Sequence, residues 1–184
     1  MTLRILKSPV LFLLITSFTI TAGWAHSLED SLPKYRKVYL GPGIGINYGG
    51  IGVQLNYMPV KSLRFSAGYG TNLLDMAYSI GINYRILADK RICPTASYYY
   101  GFNGYIKQDE KPEFNKTYYG SSLGAGVEVW NKRRTNFLHF QLLIPIQSLA
   151  FENDVEELNK ASKDLNYKSS PILLSIGYHF GINK

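Results

Sequence analysis

Two pairs of polar residues are of the types that catalysis uses. Ser175 and His179 could serve as a hydroxyl nucleophile and its base, and His139 with Glu128 could serve as a base and its orienting carboxylate. The first pair lies in a predicted β-strand, where residues four apart are separated by about 13 Å. That distance exceeds hydrogen-bond reach, which argues against a nucleophile and base. The sequence therefore predicts no catalytic residues and no enzyme activity.

The same histidines are the candidates for metal binding. His139 and His179 offer ring nitrogens, but beyond Glu128 the pattern provides no obvious further ligand at that depth. Cys93 is the only cysteine, so a cysteine-built zinc site and an intramolecular disulfide are both excluded. We predict neither a metal nor a cofactor.

These residues are positioned by strands. The stretch "SIGYHFGI", residues 175–182, places bulky apolar residues at every second position and small or polar residues between them. Such alternation predicts a strand with one apolar and one polar face. Eight segments share it: 38–48, 51–58, 63–70, 77–86, 91–105, 118–130, 135–148 and 171–182.

The links between these segments also alternate. Short links, residues 59–62, 88–90 and 131–135, follow the second, fourth and sixth segments, and long links, 106–117 and 149–170, follow the fifth and seventh. Within the last link, residues 153–165 carry enough charge and helix-forming residues to predict a short exposed helix. The prediction is one all-β domain, an eight-stranded antiparallel up-and-down barrel.

The N-terminus has the order of a secretory signal peptide. Arg4 and Lys7 precede an apolar run that closes on Gly23-Trp24-Ala25. A permanent membrane helix is the alternative, but the apolar core is short and a polar stretch follows it. We expect cleavage after Ala25, which gives a signal peptide, 1–25, and one domain, 26–184. The formal charge of +7 then falls to about +5, too mild and too evenly spread to predict nucleic-acid binding.

The apolar face needs an apolar environment. A soluble, secreted lipocalin-like barrel would place its bulky apolar groups inside, around a ligand. Here the polar face is built from Gly, Ser and Asn, which suit a narrow wet lumen, so the apolar face is predicted to meet lipid as transmembrane β-strands. Tyrosines lie on the apolar face near both strand ends, as two interfacial girdles would require. They are Tyr57, Tyr84 and Tyr178 at one end and Tyr48, Tyr69 and Tyr78 at the other.

With these strands and hairpins, the chain resembles the small eight-stranded outer-membrane β-barrel proteins of Gram-negative bacteria, OmpA-like in architecture, and most closely the Bacteroidota type. In that family the last strand carries a signal for the barrel assembly machinery, which Ser175, Gly177, Phe180 and Ile182 match. Many members end on the final aromatic residue, whereas this chain adds residues 183–184.

The resemblance implies a location in the cell outer membrane, and the pattern of short and long links predicts that both termini and the short turns are periplasmic. Its implied partners are outer-membrane lipid, the barrel assembly machinery and a possible surface ligand of loop 149–170. A structural or surface-interaction role follows. A lipid-modifying barrel enzyme is the alternative, although the local motifs of the lipid A acyltransferase, deacylase and protease families are not found. A porin-like pore is disfavoured because eight strands enclose a lumen barely wide enough for side chains.

Charged and imidazole groups are predicted to meet inside the barrel. By alternation, five residues point inward near the periplasmic end: Arg64, Arg85, Glu128, His139 and His179. A buried charge is costly without a partner, so Glu128 should pair with at least one arginine, and the excess positive charge suggests that one arginine reaches water. The group would form a permanent polar plug or, alternatively, a gate. Separately, prolines 42, 94 and 145 lie within strands and predict bulges or local breaks.

Overall fold

The computed structural model describes residues 36–72, 74–106, 115–161 and 170–182. The expected signal peptide and its cleavage point after Ala25 lie outside the described residues, as do residues 107–114, 162–169 and 183–184 of the loops and C-terminus. Within the described ranges, no helix has the length and apolar character needed to cross a membrane.

Eight antiparallel strands form one closed barrel in simple sequential order, and β8 closes it by pairing with β1. This confirms the predicted eight-stranded up-and-down architecture. The strands are β1 (Val38–Gly45), β2 (Gly50–Val60), β3 (Leu63–Thr71), β4 (Met76–Arg85), β5 (Ile92–Ile106), β6 (Lys116–Trp130), β7 (Asn136–Ile146) and β8 (Leu173–Gly181).

Alternation along the strands separates two chemically different faces. On β3, for example, Arg64, Ser66 and Gly68 are buried while Phe65 and Tyr69 are exposed. The same holds around the barrel, so the buried polar groups are amide, hydroxyl, imidazole, guanidinium and carboxylate side chains, and the large exposed side chains are mostly Ile, Leu, Val, Phe and Tyr. This arrangement is the reverse of a lipocalin-like barrel, which buries its apolar groups around a ligand.

The first strand differs from the prediction at its end. Residues 38–48 were expected to form one strand with Tyr48 on the outer face, but β1 stops at Gly45 and residues Ile46–Tyr48 form a 3₁₀ turn that folds into the lumen. Gly45, Gly49 and Gly50 have φ angles of 142°, 73° and 104°, which side-chain-bearing residues rarely adopt. Tyr48 is fully buried, so its assignment to the tyrosine girdle is wrong.

The three strand prolines do not produce the expected bulges. Register shifts occur elsewhere, between Tyr57 and Val60 and between Phe102 and Gly104, while the ladders at Pro94 and Pro145 keep their register with β6. At Pro94 the lost donor is replaced. Pro94 accepts a hydrogen bond from the Ile86 amide, and the Cys93 thiol donates to the Ile86 carbonyl in place of the missing proline N–H.

At Pro42, pairing is interrupted on one side only. The β1–β8 ladder passes from the Leu40–Phe180 pair to the Gly43–Gly177 pair without the positions between them, but the register is unchanged. On its other side, Pro42 stays in the continuous ladder with β2. The sequence predicted a bulge or a local break at this proline. A local break is present, and a bulge is not.

One helix, α1 (Leu149–Ala161), lies in the long link before β8. It begins four residues earlier than predicted because Ser148 caps it, its hydroxyl accepting from the Phe151 amide at 3.3 Å. Phe151 and Leu158 pack with Ile106 and Tyr118 at the top of β5 and β6.

An acidic residue of α1 adds polar contacts to the same strands. Asp154 accepts hydrogen bonds from the Tyr118 hydroxyl at 2.6 Å and from the Lys116 ammonium at 2.9 Å. These bonds, the Tyr118 bond foremost, hold the pKa of Asp154 below its usual range. The helix is thus fastened to the barrel by an apolar face and a charged pair.

The contact between Gly43 and the buried Tyr48 ring gives a stability test. A methyl group on Gly43 would overlap that ring, so Gly43→Ala should lower the free energy of unfolding by about 1–3 kcal/mol, the usual cost of overpacking. Urea titration followed by tryptophan fluorescence measures it. Gly104→Ala is the matched control, since its new methyl group would come no nearer than 3.6 Å to any neighbour. Equal unfolding midpoints for both variants would contradict the position of the Tyr48 ring inside the lumen.

Candidate functional site

The five predicted inward-facing residues come together in the lumen. We call Arg64, Arg85, Glu128, His139 and His179 the lumen cluster. Its members lie near the ends of β3, β4, β6, β7 and β8 that join the short turns, and cross-strand pairing places Glu128 directly opposite His139. All five are buried. The alternation that points them inward and the hairpin order that brings them to one level are together sufficient to assemble them.

Glu128 is the centre of the cluster. Its Oε2 accepts hydrogen bonds from Arg85 Nε at 2.8 Å and from Trp130 Nε1 at 2.9 Å. Its Oε1 lies 2.7 Å from Arg64 Nη1, although neither atom has an aligned hydrogen-bond partner among the described residues. The Arg64 contact is therefore an ion pair without hydrogen-bond geometry. One carboxylate thus neutralises part of the charge of two arginines.

The expectation that one arginine reaches water is wrong. The side chains of Arg64 and Arg85 are 0% and 3% exposed. Each guanidinium instead lies over an aromatic ring, Arg64 at 5.2 Å from the Phe137 centroid and Arg85 at 4.7 Å from that of Trp130. Cation–π attraction of this kind replaces part of the lost hydration. Arg85 also donates to the Lys61 carbonyl.

An apolar layer lies around these rings. Tyr39, Met58, Cys93, Trp130 and Phe137 form one buried cluster, with Tyr39 edge-on to both other aromatic rings at about 5.5 Å between centroids. This layer explains why the excess positive charge does not reach solvent, because the route from the cluster to the short turns is filled by aromatic side chains.

Both histidines accept a hydrogen bond from a neighbouring side chain. Arg64 Nη2 lies 3.1 Å from His139 Nδ1 and 3.4 Å from its Nε2, and since a guanidinium only donates, we assign the nearer Nδ1 as the acceptor. His179 Nδ1 lies 3.0 Å from the Asn56 amide nitrogen and its Nε2 lies 2.7 Å from the Tyr48 hydroxyl. We assign His179 as an acceptor from Asn56 and a donor to Tyr48. Its ring also stacks on Phe137 at 4.5 Å.

Amide side chains occupy the next level of the lumen. Asn83 accepts from Arg64 Nη2 at 3.0 Å and from the Tyr99 hydroxyl at 2.9 Å. Gln141 then connects this level to the 3₁₀ turn Ile46–Tyr48, accepting from Asn47 at 3.0 Å and donating to Ser97 at 2.9 Å. The lumen cluster therefore continues as a hydrogen-bonded network toward the long-loop end of the barrel.

The two catalytic pairings considered from the sequence are held by other partners. The Ser175 hydroxyl donates to Asn47, whereas His179 contacts Tyr48 and Asn56. Arg64 lies between Glu128 and His139 and contacts both. The carboxylate therefore pairs with an arginine and does not orient the imidazole. The described part of the chain contains no group of three His, Cys, Asp or Glu side chains placed to hold a metal ion.

The four residues of the predicted assembly signal lie at the end of the chain that closes the barrel. Ser175 and Gly177 face inward on β8, and Phe180 faces outward on the same strand. Ile182 follows the strand, and its amide donates to the Val38 carbonyl at 3.0 Å. Their role in assembly stays a prediction.

Sequence reasoning missed the aromatic and amide partners of the cluster. Tyr48 was the clearest omission, and a signal for it was present in the glycines of "GIGINYGG", which indicate a turn in place of a continued strand. Trp130 and Phe137 stand at inward positions on either side of the short turn 131–135, but alternation does not show that their rings would cover the guanidinium groups. Their position over the guanidinium groups depends on distances that only the closed barrel defines.

Comparisons with known proteins found similarity at the level of solved structures. No protein-family model matches the chain. No curated protein sequence matches it either. A similar solved structure is the crystal structure of the N-terminal β-barrel domain of Pseudomonas aeruginosa OprF, at 12% sequence identity and a TM-score of 0.48, covering 79% of this chain and 97% of that chain.

Removing the central carboxylate tests the lumen cluster. Glu128→Ala should lower the free energy of unfolding by about 3–5 kcal/mol, because it leaves two buried arginines without their counter-charge. Urea unfolding of the folded barrel measures the loss. Glu157→Ala, on the exposed side of α1, is the control and should leave the unfolding midpoint unchanged. A Glu128→Ala barrel as resistant to urea as the wild type would show that the ion pairs do not stabilise the fold.

Proposed function

We propose that this chain is an integral outer-membrane β-barrel protein of Gram-negative bacteria, with a structural or surface-interaction role and a lumen closed by side chains. The observation that carries the proposal is the outer face of the closed barrel. Large apolar side chains stand exposed on all eight strands, among them Ile44, Val53, Ile80, Leu123 and Ile144, each about half exposed. A soluble barrel with this surface would aggregate, whereas hydrocarbon would cover it at no cost.

The exposed tyrosines support the same environment. Tyr57, Tyr84 and Tyr178 stand outward near the short turns, and Tyr69 and Tyr78 stand outward near the opposite end. Amphipathic rings at two levels match the two interfaces of a bilayer. Because Tyr48 is buried, the girdle at the end opposite the short turns has two of its three predicted tyrosines.

The two ends of the barrel differ in charge, which supports an orientation. The end with the short turns, here called the turn rim, carries exposed Lys90, Arg91, Lys132 and Arg133, and its only acidic residue in the described ranges is Asp89. Basic side chains directly beyond an apolar band suit anionic phospholipid headgroups.

The opposite end, the loop rim, is acidic. On α1 the acidic residues are Glu152, Asp154, Glu156 and Glu157, with Lys160 as the basic residue. With short turns periplasmic and long loops outside, as is usual for such barrels, the acidic helix would face the exterior, where a surface ligand of residues 149–170 would bind. Both termini would then be periplasmic.

The interior supports a closed barrel. The lumen cluster, the apolar layer beneath it and the amide network above it fill successive levels with side chains that contact one another. A permanent plug accounts for these contacts, because opening a path through them would separate buried charges. Assembly would use the residues of β8 and Ile182 described above, after cleavage of the signal peptide; the Tyr- and Gly-rich strands suggest the Bacteroidota type.

A charge placed on the outer face separates the membrane proposal from a soluble one. Ile80 lies midway between the two tyrosine levels and is 55% exposed. In lipid vesicles Ile80→Arg should lower the free energy of unfolding by about 2–4 kcal/mol, the cost of a cation near the bilayer midplane. Folded fractions are measured by heat-dependent gel mobility across a urea series.

Leu149→Arg is the control for this substitution. Leu149 is 78% exposed at the start of α1, beyond the apolar band, so the arginine should leave the folded fraction unchanged. If Ile80→Arg were as stable as this control, or if the wild type were recovered from the soluble periplasm without a heat-dependent mobility change, the membrane proposal would be wrong.

Limited proteolysis of intact cells tests the orientation. Trypsin should cut first within residues 149–170, because that link stands outside in the proposed topology. Residues 131–135, which contain the basic turn "NKRRT", should be cut only after the outer membrane is permeabilised. First cleavage at this turn in intact cells would reverse the topology.

A further inference from the structure

The barrel wall is low where β1 meets β2. These strands end at Gly45 and Gly50, and the residues between them fold into the lumen. By contrast, β5 and β6 pair as far as Ile106 and Lys116. The described β1–β8 ladder ends at the Ile44–Ile176 pair, whereas β8 continues along β7 as far as Leu173. One edge of β8 therefore rises above the β1–β2 hairpin without a strand beside it.

A cavity of about 450 Å³ lies at this low part of the wall, a size within the range of about 300–1,000 Å³ that is usual for small-molecule pockets. We call it the rim pocket. Its inner lining includes Ile46, Phe102, Phe151 and Leu173. The first three are at most 6% exposed, so none of them belongs to the outer face: Ile46 and Phe102 lie inside the barrel, and Phe151 lies on the side of α1 that packs on it.

The rim pocket also reaches the outer face. Ile44, Ile51 and Leu174 line it, and they are 56%, 54% and 68% exposed. These three residues belong to the apolar band that we propose meets lipid. A continuous apolar surface therefore runs from the outside of the barrel, over the low wall, to the interior residues of the pocket.

Two amide side chains that line the pocket are already satisfied. Asn72 donates to Thr117 at 2.8 Å and accepts from the Asp75 amide at 2.8 Å. Asn103 donates to the Ile146 carbonyl at 2.7 Å and accepts from Ser122 at 3.1 Å. Because these two groups need no partner from a ligand, and because most of the other lining side chains are apolar, with Gln147 a polar exception, the pocket favours an apolar occupant over a polar one.

We propose that the rim pocket binds a hydrocarbon chain of an outer-leaflet lipid, which enters sideways over the β1–β2 wall. This inference rests on the proposed membrane location. The lipid headgroup stays at the interface outside the wall, and only the chain passes between Leu174 and the β1–β2 hairpin. Phe151, a residue of α1, lines the pocket. A chain in the pocket would therefore contact the helix whose acidic residues lie at the loop rim.

Photocrosslinking in vesicles tests this. The wild-type protein is reconstituted in phosphatidylcholine vesicles that contain a small fraction of a phosphatidylcholine with a diazirine at the end of one acyl chain, and adducts are mapped by mass spectrometry. Lipid surrounding the barrel should label exposed residues such as Ile80 and Leu123. A chain inside the rim pocket should in addition label Phe102, Phe151 and Ile46, which surrounding lipid does not reach.

A substitution that fills the pocket tests whether the interior adducts come from a chain inside it. A side chain on Gly104 would project toward Phe151 and Gln147 with ordinary spacing, so Gly104→Leu should occupy the space and abolish the interior adducts while outer-face labelling persists. Ala125→Leu introduces the same side chain on the exposed side of β6 and should leave the interior adducts unchanged. Leu174→Asp, which places a charge on the entry path at a strongly exposed position, is a second variant that should also reduce them.

The outcomes separate the pocket from the membrane proposal. Labelling of the outer face alone in the wild type would overturn the pocket proposal and leave the membrane location intact. Interior adducts that persist in both Gly104→Leu and Leu174→Asp would also overturn it. Absence of labelling on the outer face as well would contradict both proposals. Should Gly104→Leu not fold, as judged by its gel mobility, Leu174→Asp alone decides.

Discussion

An eight-stranded barrel encloses a lumen only just wide enough for its own side chains, and this limit governs every inward-facing position. Glycine occupies the inner face wherever another group must pass, as at Gly43 and Gly177, where an added methyl group would overlap Tyr48. Space saved in this way lets the 3₁₀ turn Ile46–Tyr48 enter the barrel. The turn then supplies the tyrosine that bonds to His179 and leaves the wall low above Gly45. The lumen network and the rim pocket therefore share one origin.

Charge inside so narrow a space needs compensation from every direction. Glu128 alone does not balance Arg64 and Arg85, and the remainder is distributed over aromatic rings, a backbone carbonyl and amide oxygens. Replacing a charged pair by apolar residues is often neutral or stabilising, so the presence of the cluster is not by itself a measure of net stability. Its members come from five strands, and only the correct barrel register brings them together.

The inner and outer faces place opposite demands on the same strands. Inside, polar groups must find partners because water is scarce; outside, the apolar band needs an environment without water. The chain meets both by alternation, interrupted where Gly45 turns β1 inward, where β5 carries its register shift at Phe102 and Gly104, and where β2 carries one between Tyr57 and Val60. The first two interruptions lie at the loop rim and line the rim pocket. These two departures from regular strand geometry thus coincide with a site where interior and outer face are continuous.

The sequence by itself determined the eight strands, their antiparallel order and the inward direction of Arg64, Arg85, Glu128, His139 and His179, because a two-residue period and short links are local properties of the chain. It also indicated a helix in the last link, although packing of Phe151 and the Ser148 cap decided where that helix begins. Tyr48 was placed on the wrong face because alternation assumes a continuing strand, and three glycines with positive φ end it.

Tertiary structure alone decided how the inward residues are partnered. The burial of both arginines depends on Trp130 and Phe137 closing over them, which requires the curvature of the closed barrel. Contacts between strands also decide two other features. The Cys93 thiol donates to the Ile86 carbonyl, which Pro94 cannot serve as a donor, and the wall between β8 and β2 is low. Local sequence encodes which face a residue takes, but distances across a lumen are set only when the last strand pairs with the first.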